Sequence, residues 1–216
     1  MTVFLIVFGT VGYFLLEFNN PETMKDLSIP EKVMASAFQS VTTRTAGFAS
    51  VSQSGLTESS RLLGCILMFI GGSPAGTAGG IKTTTFAMLI LTIISVLRGH
   101  KDTECFGRRV DMESVRSALT ITVITFTCWL AAVAAMSIFD PQTEFLNLMY
   151  EASSAIGTVG LSADLTPHLT RASHVVLMLL MYIGRIGPLT MALVFAGKSN
   201  KRDKFRELPE KKIMLG

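Results

Sequence analysis

Charged residues are scarce in this chain: they make up 16% of its 216 residues, whereas hydrophobic residues make up 49%. Soluble domains usually carry about 25% charged residues, so the composition argues against a water-soluble fold. Cysteine is also rare, and its three copies stand singly, which argues against a disulfide framework or a zinc site. The net charge of +3 is too small to indicate nucleic acid as a partner.

The hydrophobic residues are gathered into four long blocks, as in membrane spans, over residues 3–18, 62–97 with a glycine-rich interruption, 117–139 and 174–196. The last two have 23 residues each, enough helix to cross a bilayer core of about 30 Å. The first has only 16 residues, so we expect a short tilted span or a helix whose start lies outside the chain. The blocks predict an all-α, multi-pass protein of the cell membrane.

The basic residues indicate the orientation. Twelve of the nineteen Lys and Arg residues lie in 98–116 and 197–216, so both segments are predicted to be cytoplasmic, the C-terminal tail included. The intervening segments 17–61 and 140–173 then face outward, and they carry nine acids against five bases. An acidic outer vestibule suits a cation.

An internal repeat emerges when the sequence is shifted by 113 positions. The shift places Glu31 on Glu144, Ser40 on Ser153, Thr45 on Thr158, Gly47 on Gly160 and Gly71 on Gly184. We therefore predict a repeat over 1–97, a cytoplasmic linker over 98–116, a second repeat over 117–197 and a tail over 198–216. Within the repeats, 31–43 and 144–156 are predicted to be re-entrant half-helices, each followed by an extended segment that lines a cavity.

A short motif after the second half-helix indicates an ion filter. Thr158-Val159-Gly160 matches the start of the potassium-channel filter, whereas Leu161 and Ser162 depart from it. Glycine lets the backbone turn its carbonyl oxygens towards a dehydrated ion. The first repeat has a similar motif, Thr45-Ala46-Gly47. The predicted ion-binding residues are therefore Thr45, Ala46, Gly47, Phe48, Thr158, Val159, Gly160 and Leu161. The departures predict weaker discrimination against Na⁺; the alternative is an ordinary extracellular turn.

Residues 71–85 interrupt a span with glycines and a proline, so an intramembrane loop must break the helix. The loop is not a Walker A motif, because Ile81 separates Gly80 from Lys82. We interpret it as a flexible gate beneath the filter, formed by Gly71, Gly72, Pro74, Gly76, Gly79, Gly80 and Lys82. The alternative is a glycine-rich packing seam between helices.

Two arginines stand at unusual places. Arg185 lies within the last apolar block, where a cation faces a pathway or a partner. The repeat shift places it on Gly72, so we assign it to the gate, as an electrostatic barrier or as an anchor of the loop carbonyls; the alternative is a structural pair with a glutamate. Arg44 precedes the first filter segment and is expected to pair with an acid such as Glu151.

Four motifs in register resemble the Ktr/Trk/HKT superfamily of potassium transporters, most closely the membrane subunit of the bacterial Ktr potassium uptake system. They lie at residues 39–48, 79–85, 157–162 and 184–190, and the tail at 208–216 also looks like a Ktr terminus. The resemblance covers nearly the whole chain.

The resemblance implies a subunit with four membrane-pore-membrane repeats around one pore. Such subunits form homodimers on a cytosolic ring of nucleotide-binding RCK proteins. This chain resembles the third and fourth repeats only. Because half a filter cannot conduct, we expect a missing N-terminal half or, as an alternative, a second copy of the chain. The implied function is K⁺ uptake influenced by Na⁺, with these ions as cargo or coupling ion and no covalently bound cofactor.

Two other functions are weighed against this one. A secondary transporter with broken helices, for another small cation or solute, would need matching breaks in both halves, and only residues 71–80 interrupt a span. An intramembrane serine protease could use Ser73, but no histidine lies within a span near it. The chain is therefore not expected to be an enzyme.

Overall fold

The computed structural model of the chain describes residues 1–74, 76, 78–99, 102–105 and 108–187. Its helices are α1 Thr2–Glu17, α2 Ile29–Thr42, α3 Glu58–Phe69, α4 Thr83–Leu97, α5 Met112–Phe139, α6 Phe145–Ile156 and α7 Arg171–Ile186, with a 3₁₀ turn at Thr166–His168. The helical class predicted from the sequence is confirmed. A minute antiparallel pair, β1 Glu104–Cys105 and β2 Arg108–Arg109, lies in the predicted linker and was not expected.

The short helix α2 is held against α1 at both of its ends. It begins with a capping box in which the Ser28 backbone N–H donates to the Glu31 carboxylate at 2.8 Å. Near this end the Lys32 ammonium donates to the Phe18 carbonyl at 2.7 Å. Further along, the Ser40 hydroxyl donates to the Ile6 carbonyl at 2.8 Å. The polar residues of this segment thus hold α2 beside α1.

Helix α6 lies at the centre of the second half of the chain, packed against α5 and α7. Apolar side chains of the three helices form its core: Ala132, Val133, Met136, Leu148, Ala152, Ala155, Ile156, Leu177 and Leu180. The Trp129 indole N–H of α5 donates to the Ser153 hydroxyl of α6 at 3.0 Å. Most of α6 is buried, so its C-terminal end reaches the interior of the fold.

The two halves of the chain meet where α3 packs on α6. At the outer edge the Arg61 guanidinium pairs with the Glu144 carboxylate at 3.3 Å. In the interior, the Tyr150 hydroxyl of α6 donates to the Gln53 side-chain oxygen at 2.8 Å. Gln53 in turn exchanges hydrogen bonds with the buried Gln39 of α2. A satisfied buried polar network therefore specifies how the halves are joined.

The glycine-rich segment breaks its span as predicted, since α3 ends at Phe69 and α4 begins at Thr83. The predicted loop 71–85 is wrong at its end, because Thr83, Thr84 and Thr85 form the first turn of α4. The Thr83 N–H is satisfied from outside the helix by the Gly72 carbonyl at 3.1 Å, which allows the helix to start there. Helix α5 likewise begins before the predicted residue 117, at Met112.

One described helix, α5, is long and apolar enough to cross a membrane, while α1 and α4 are apolar but shorter. Large apolar side chains lie exposed on the outer faces of α1, α4, α5 and α7, among them Val3, Leu97, Val123 and Leu179. The described part of α7 ends at Ile186. The remainder of the last predicted span, to residue 196, and the predicted tail 198–216 lie outside the described residues.

Candidate functional site

The two segments predicted to form a filter lie against each other. The Thr45 hydroxyl donates to the Gly157 carbonyl at 3.1 Å, across 112 positions of sequence. A Cβ atom placed on Gly47 would lie 2.1 Å from the Val159 carbonyl oxygen and 3.6 Å from the Gly160 Cα. The repeat-related glycines therefore lie on neighbouring segments rather than on remote surfaces.

Both segments have the same unusual backbone. Thr45 and Thr158 have positive φ values of 63° and 49°, and Gly47 and Gly160 have values of 75° and 92°. A positive φ is uncommon for a β-branched residue such as threonine, and it is easily adopted only by glycine. Neither segment forms a helix or a strand.

The backbone carbonyl oxygens of these segments are largely uncommitted. Within the part of the chain that the structure describes, no hydrogen bond reaches the carbonyl oxygens of Thr45, Ala46, Gly47, Thr158, Val159, Gly160 or Leu161. Phe48 differs, because its carbonyl accepts a hydrogen bond from the Thr42 hydroxyl at 2.6 Å. The uncommitted oxygens are hard, neutral donors of the kind that replace the water shell of an alkali cation.

Polar side chains that sequence reasoning missed hold the segments in place. In the first repeat the Thr42 hydroxyl also accepts the Phe48 N–H at 2.8 Å. In the second, the Ser154 hydroxyl accepts the Gly160 N–H at 3.2 Å. Both residues lie at the C-terminal end of a half-helix, and that position is the one signal that could have identified them.

The buried carboxylate of Glu151 braces the chain after the second segment. It accepts hydrogen bonds from the Ser162 hydroxyl at 2.6 Å, the Ala163 N–H at 3.0 Å and the Thr166 hydroxyl at 2.8 Å. The expected pair of Arg44 with Glu151 is therefore wrong, since Glu151 is occupied by its own neighbours. Arg44 instead donates from Nη1 to the Gly71 carbonyl at 3.4 Å.

The glycine-rich loop lies directly against the second segment. The Gly79 N–H donates to the Thr158 hydroxyl at 3.0 Å, and the Gly80 N–H donates to the Ile156 carbonyl at 3.1 Å. A Cβ on Gly79 would lie 2.7 Å from the Thr158 Oγ1 and 2.9 Å from the Ile156 carbonyl oxygen. Glycine is required here because the loop backbone approaches another backbone.

The loop is closed by contacts between its own ends. Ile70 and Ile81 form an isolated parallel bridge. A Cβ on Gly71 would lie 1.9 Å from the Gly79 carbonyl oxygen, so the two arms touch. The Lys82 ammonium donates to the Ala78 carbonyl at 2.6 Å and to the Gly76 carbonyl at 3.1 Å. Anchoring of the loop carbonyls was one role predicted for Arg185. In the structure, Lys82 makes such contacts.

The last turn of α7 and the glycine-rich loop both contact the Ile156 carbonyl. A Cβ on Gly184 would lie 2.2 Å from the Ile156 carbonyl oxygen, the atom that accepts the Gly80 N–H. Arg185 follows Gly184 and its side chain is exposed. Pro74 lies in a turn at the far end of the loop, close to Gly72 in sequence.

The chain has the fold of a potassium transporter of known structure. It superposes on the crystal structure of the potassium transporter TrkH from Vibrio parahaemolyticus with a TM-score of 0.68, covering 89% of this chain and 42% of that chain at 19% identity. Residues 1–205 match the TrkH family, described as cation transport proteins. The chain therefore belongs to the TrkH family of cation transport proteins, which is not an enzyme family.

Curated relatives are similar over the whole chain. The Ktr system potassium uptake protein B of Bacillus subtilis is 38% identical over 215 residues, which cover 100% of this chain and 47% of that protein. The potassium/sodium uptake protein NtpJ of Enterococcus hirae is 34% identical over 100% of this chain and 48% of that protein. The chain thus spans about half the length of the curated relatives it matches. The family resemblance inferred from the sequence motifs is confirmed.

Proposed function

We propose that the chain is the C-terminal half of a Ktr-type transporter that takes up K⁺ across the cell membrane. Residues Thr45 to Phe48 and Thr158 to Leu161 would supply two of the four segments of its filter. The observation that carries the proposal is the contact of Gly47 with the Val159 carbonyl. It joins two segments whose carbonyl oxygens, apart from that of Phe48, accept no hydrogen bond from the described residues. The shared positive φ values of Thr45 and Thr158 support the same conclusion.

Helix ends and carbonyl oxygens make the electrostatics of the site favourable for a cation. Helices α2 and α6 both end at a filter segment, and the C-terminal end of a helix carries about half a negative charge. Carbonyl oxygens complete the coordination of a dehydrated K⁺. A membrane potential of 100 mV then drives each charge inward with roughly 2.3 kcal/mol. Because Leu161 and Ser162 depart from the channel motif, we expect weaker rejection of Na⁺, and a relative whose name includes sodium is consistent with that.

The filter would be completed by parts outside this chain. A Cβ on Gly47 would be blocked by Val159, whereas a Cβ on Gly160 would meet no described atom within 4 Å. The open side of Gly160 is where the next segment of a ring would stand. The relatives are about twice as long, which favours two further repeats over a second copy of this chain. The proposal includes a homodimer on a cytosolic ring of nucleotide-binding RCK subunits, as the Ktr resemblance implies. The basic residues of 98–116 and 197–216 support a cytoplasmic C-terminus.

The loop from Gly71 to Lys82 would act as the gate beneath the filter. Its contacts with Thr158 and Ile156 support this role. Its glycines would let the loop change conformation at low cost. Arg185 would act at the same level, because Gly184 adjoins the Ile156 carbonyl. Arg185→Gln should therefore change the uptake rate or its Na⁺ dependence. An Arg185→Gln transporter that behaves as wild type would favour a purely structural role for Arg185.

Uptake of ⁸⁶Rb⁺ tests the proposed function. The chain is expressed together with the proposed N-terminal half in cells that lack potassium uptake systems. Uptake is normalised to the amount of transporter in the membrane. Gly160→Asp should abolish uptake, because it adds a side chain and a charge at a filter position with φ of 92°. Ser73→Ala tests the serine-protease alternative: uptake that remains intact would argue against a catalytic role for Ser73. Undiminished uptake by Gly160→Asp would contradict the filter assignment.

A further inference from the structure

Arg44 carries donors that no described residue of the chain accepts. It directly follows Thr43, the C-terminal cap of α2, and its Nη1 donates to the Gly71 carbonyl at 3.4 Å. Its Nε and Nη2 atoms are buried and have no hydrogen-bond partner among the described residues. Buried donors of a charged group are normally paired, so an acceptor belongs at this place.

The position of the two unpaired donors specifies the acceptor. Nε and Nη2 lie on one edge of the planar guanidinium, the edge that makes two parallel hydrogen bonds to a carboxylate. A single carbonyl would satisfy only one of them. The geometry is thus that of an arginine prepared for an Asp or Glu side chain.

The charge of Arg44 leads to the same acceptor, and this step rests on the proposed function. Arg44 immediately precedes Thr45, so an uncompensated guanidinium would repel a cation held at the first filter segment. A carboxylate on Arg44 would cancel that repulsion. It would also leave Nη1 free to hold the gate loop at Gly71.

The acids described in this chain do not supply the carboxylate. Buried Glu151 is occupied by Ser162, Ala163 and Thr166, and buried Glu17 by Asn20, Thr23 and Thr57. The ion pairs found among the described residues are Arg61 with Glu144 and Arg109 with Asp102.

We propose that Arg44 binds, through Nε and Nη2, an Asp or Glu carboxylate carried by the N-terminal half of the assembled transporter. The contact would tie that half to the first filter segment and, through Nη1, to the gate loop.

Substitutions at Arg44 in the assembled transporter test the contact. Arg44→Gln should lower ⁸⁶Rb⁺ uptake at least tenfold, because it leaves the partner carboxylate buried without a counter-charge. Arg44→Lys should retain more uptake, since an ammonium keeps the charge but loses the bidentate geometry. Arg61→Gln is the control: its acid Glu144 lies within the chain, so no change outside the chain should rescue it.

Charge reversal and crosslinking identify the partner. Arg44→Glu should abolish uptake, and reversal of one particular acid of the N-terminal half to Arg should restore it. With Arg44→Cys and that acid changed to Cys, a short bifunctional thiol reagent should join the two halves in membranes. Wild-type uptake by Arg44→Gln, or the absence of both rescue and crosslinking for every acid tested, would overturn the proposal. The crosslink needs no transport, so it still identifies the partner if the wild-type assembly takes up no ⁸⁶Rb⁺ and the proposed function fails.

Discussion

The backbone N–H of Gly79 donates to the hydroxyl of Thr158 at 3.0 Å. This bond joins the middle of a broken span to a segment whose carbonyl oxygens are uncommitted. Since Thr158 has a φ of 49°, its position depends on such contacts from its surroundings. Movement of the loop would therefore change the position of the proposed filter segment.

Removal of the Thr158 hydroxyl should loosen the loop. Thr158→Val keeps the branched shape but leaves the Gly79 N–H without its acceptor, at a cost of about 1–3 kcal/mol. We expect a lower melting temperature of the transporter in detergent and a higher basal ⁸⁶Rb⁺ uptake. Thr158→Ser retains the hydroxyl and should stay close to wild type. Equal behaviour of the Val and Ser variants would show that the hydrogen bond has no role.

Two glycines of the same loop should differ sharply in their tolerance of a methyl group. A Cβ on Gly71 would lie 1.9 Å from the Gly79 carbonyl oxygen, whereas one on Gly76 would lie 3.4 Å from the Ser73 carbonyl oxygen. Gly71→Ala should therefore cost about 1–3 kcal/mol through overpacking. Gly76→Ala should cost little. Thermal unfolding of the two purified variants compares them, and a Gly71→Ala protein as stable as Gly76→Ala would refute the close contact of the loop arms.

Loss of the Lys82 ammonium should weaken the closed form of the loop. Lys82 binds the carbonyls of Ala78 and Gly76, and Lys82→Met keeps the length of the side chain without the donors. We expect increased ⁸⁶Rb⁺ uptake and weaker control by the proposed cytosolic ring, the same effects that we expect from deletion of residues within 72–80. Lys82→Arg retains donors and serves as the control. Unchanged flux in both Lys82→Met and the deletion would remove the gate assignment.

The link between α5 and α7 should weaken in acid. The Asp140 carboxylate, just after α5, accepts from the Thr170 N–H at 3.1 Å, from the Thr170 hydroxyl at 3.0 Å and from the Ser173 hydroxyl. Burial alone would raise the pKa of Asp140, but the hydrogen bonds from Ser173 and Thr170 outweigh it, and the pKa lies below its usual value. A lowered folded-state pKa stabilises the protein at pH values above the ordinary pKa of about 3.9.

This stabilisation is lost as the pH falls through the lowered pKa of Asp140. Melting temperatures in detergent between pH 7 and pH 3 should therefore fall less in Asp140→Asn than in wild type, from a lower starting value. Asp26→Asn, at an exposed loop position, should follow the wild-type curve. An Asp140→Asn curve parallel to wild type would contradict the contribution of this carboxylate.

Features that depend on local sequence were predicted closely. The half-helices expected at 31–43 and 144–156 are α2 and α6, Ile29–Thr42 and Phe145–Ile156. The break in the second span was also expected, because glycine and proline disfavour helix wherever they occur. The predicted end of the loop was wrong because a distant group completes a helix terminus there: the Gly72 carbonyl accepts the Thr83 N–H at the start of α4.

Features that depend on distant partners were not predicted. The internal repeat indicates that Thr45 and Thr158 occupy equivalent positions. It does not predict that Thr45 contacts Gly157. The buried network of Gln39, Gln53 and Tyr150 has no signal in sequence spacing. Arg44 was assigned to Glu151 by charge alone, and the structure assigns it to Gly71.

The sequence by itself determined the helical segments, the glycine-centred motifs and the family, because hydrophobic blocks and backbone-permissive residues act within a few positions of themselves. Only the tertiary structure decided that Gly47 meets Val159 and that Gly79 meets Thr158. Those contacts arise from the packing of α3 on α6, which brings together backbone far apart in the chain. Which carbonyl oxygens then remain unpaired is a property of the whole fold, since every other segment must first satisfy its own hydrogen bonds.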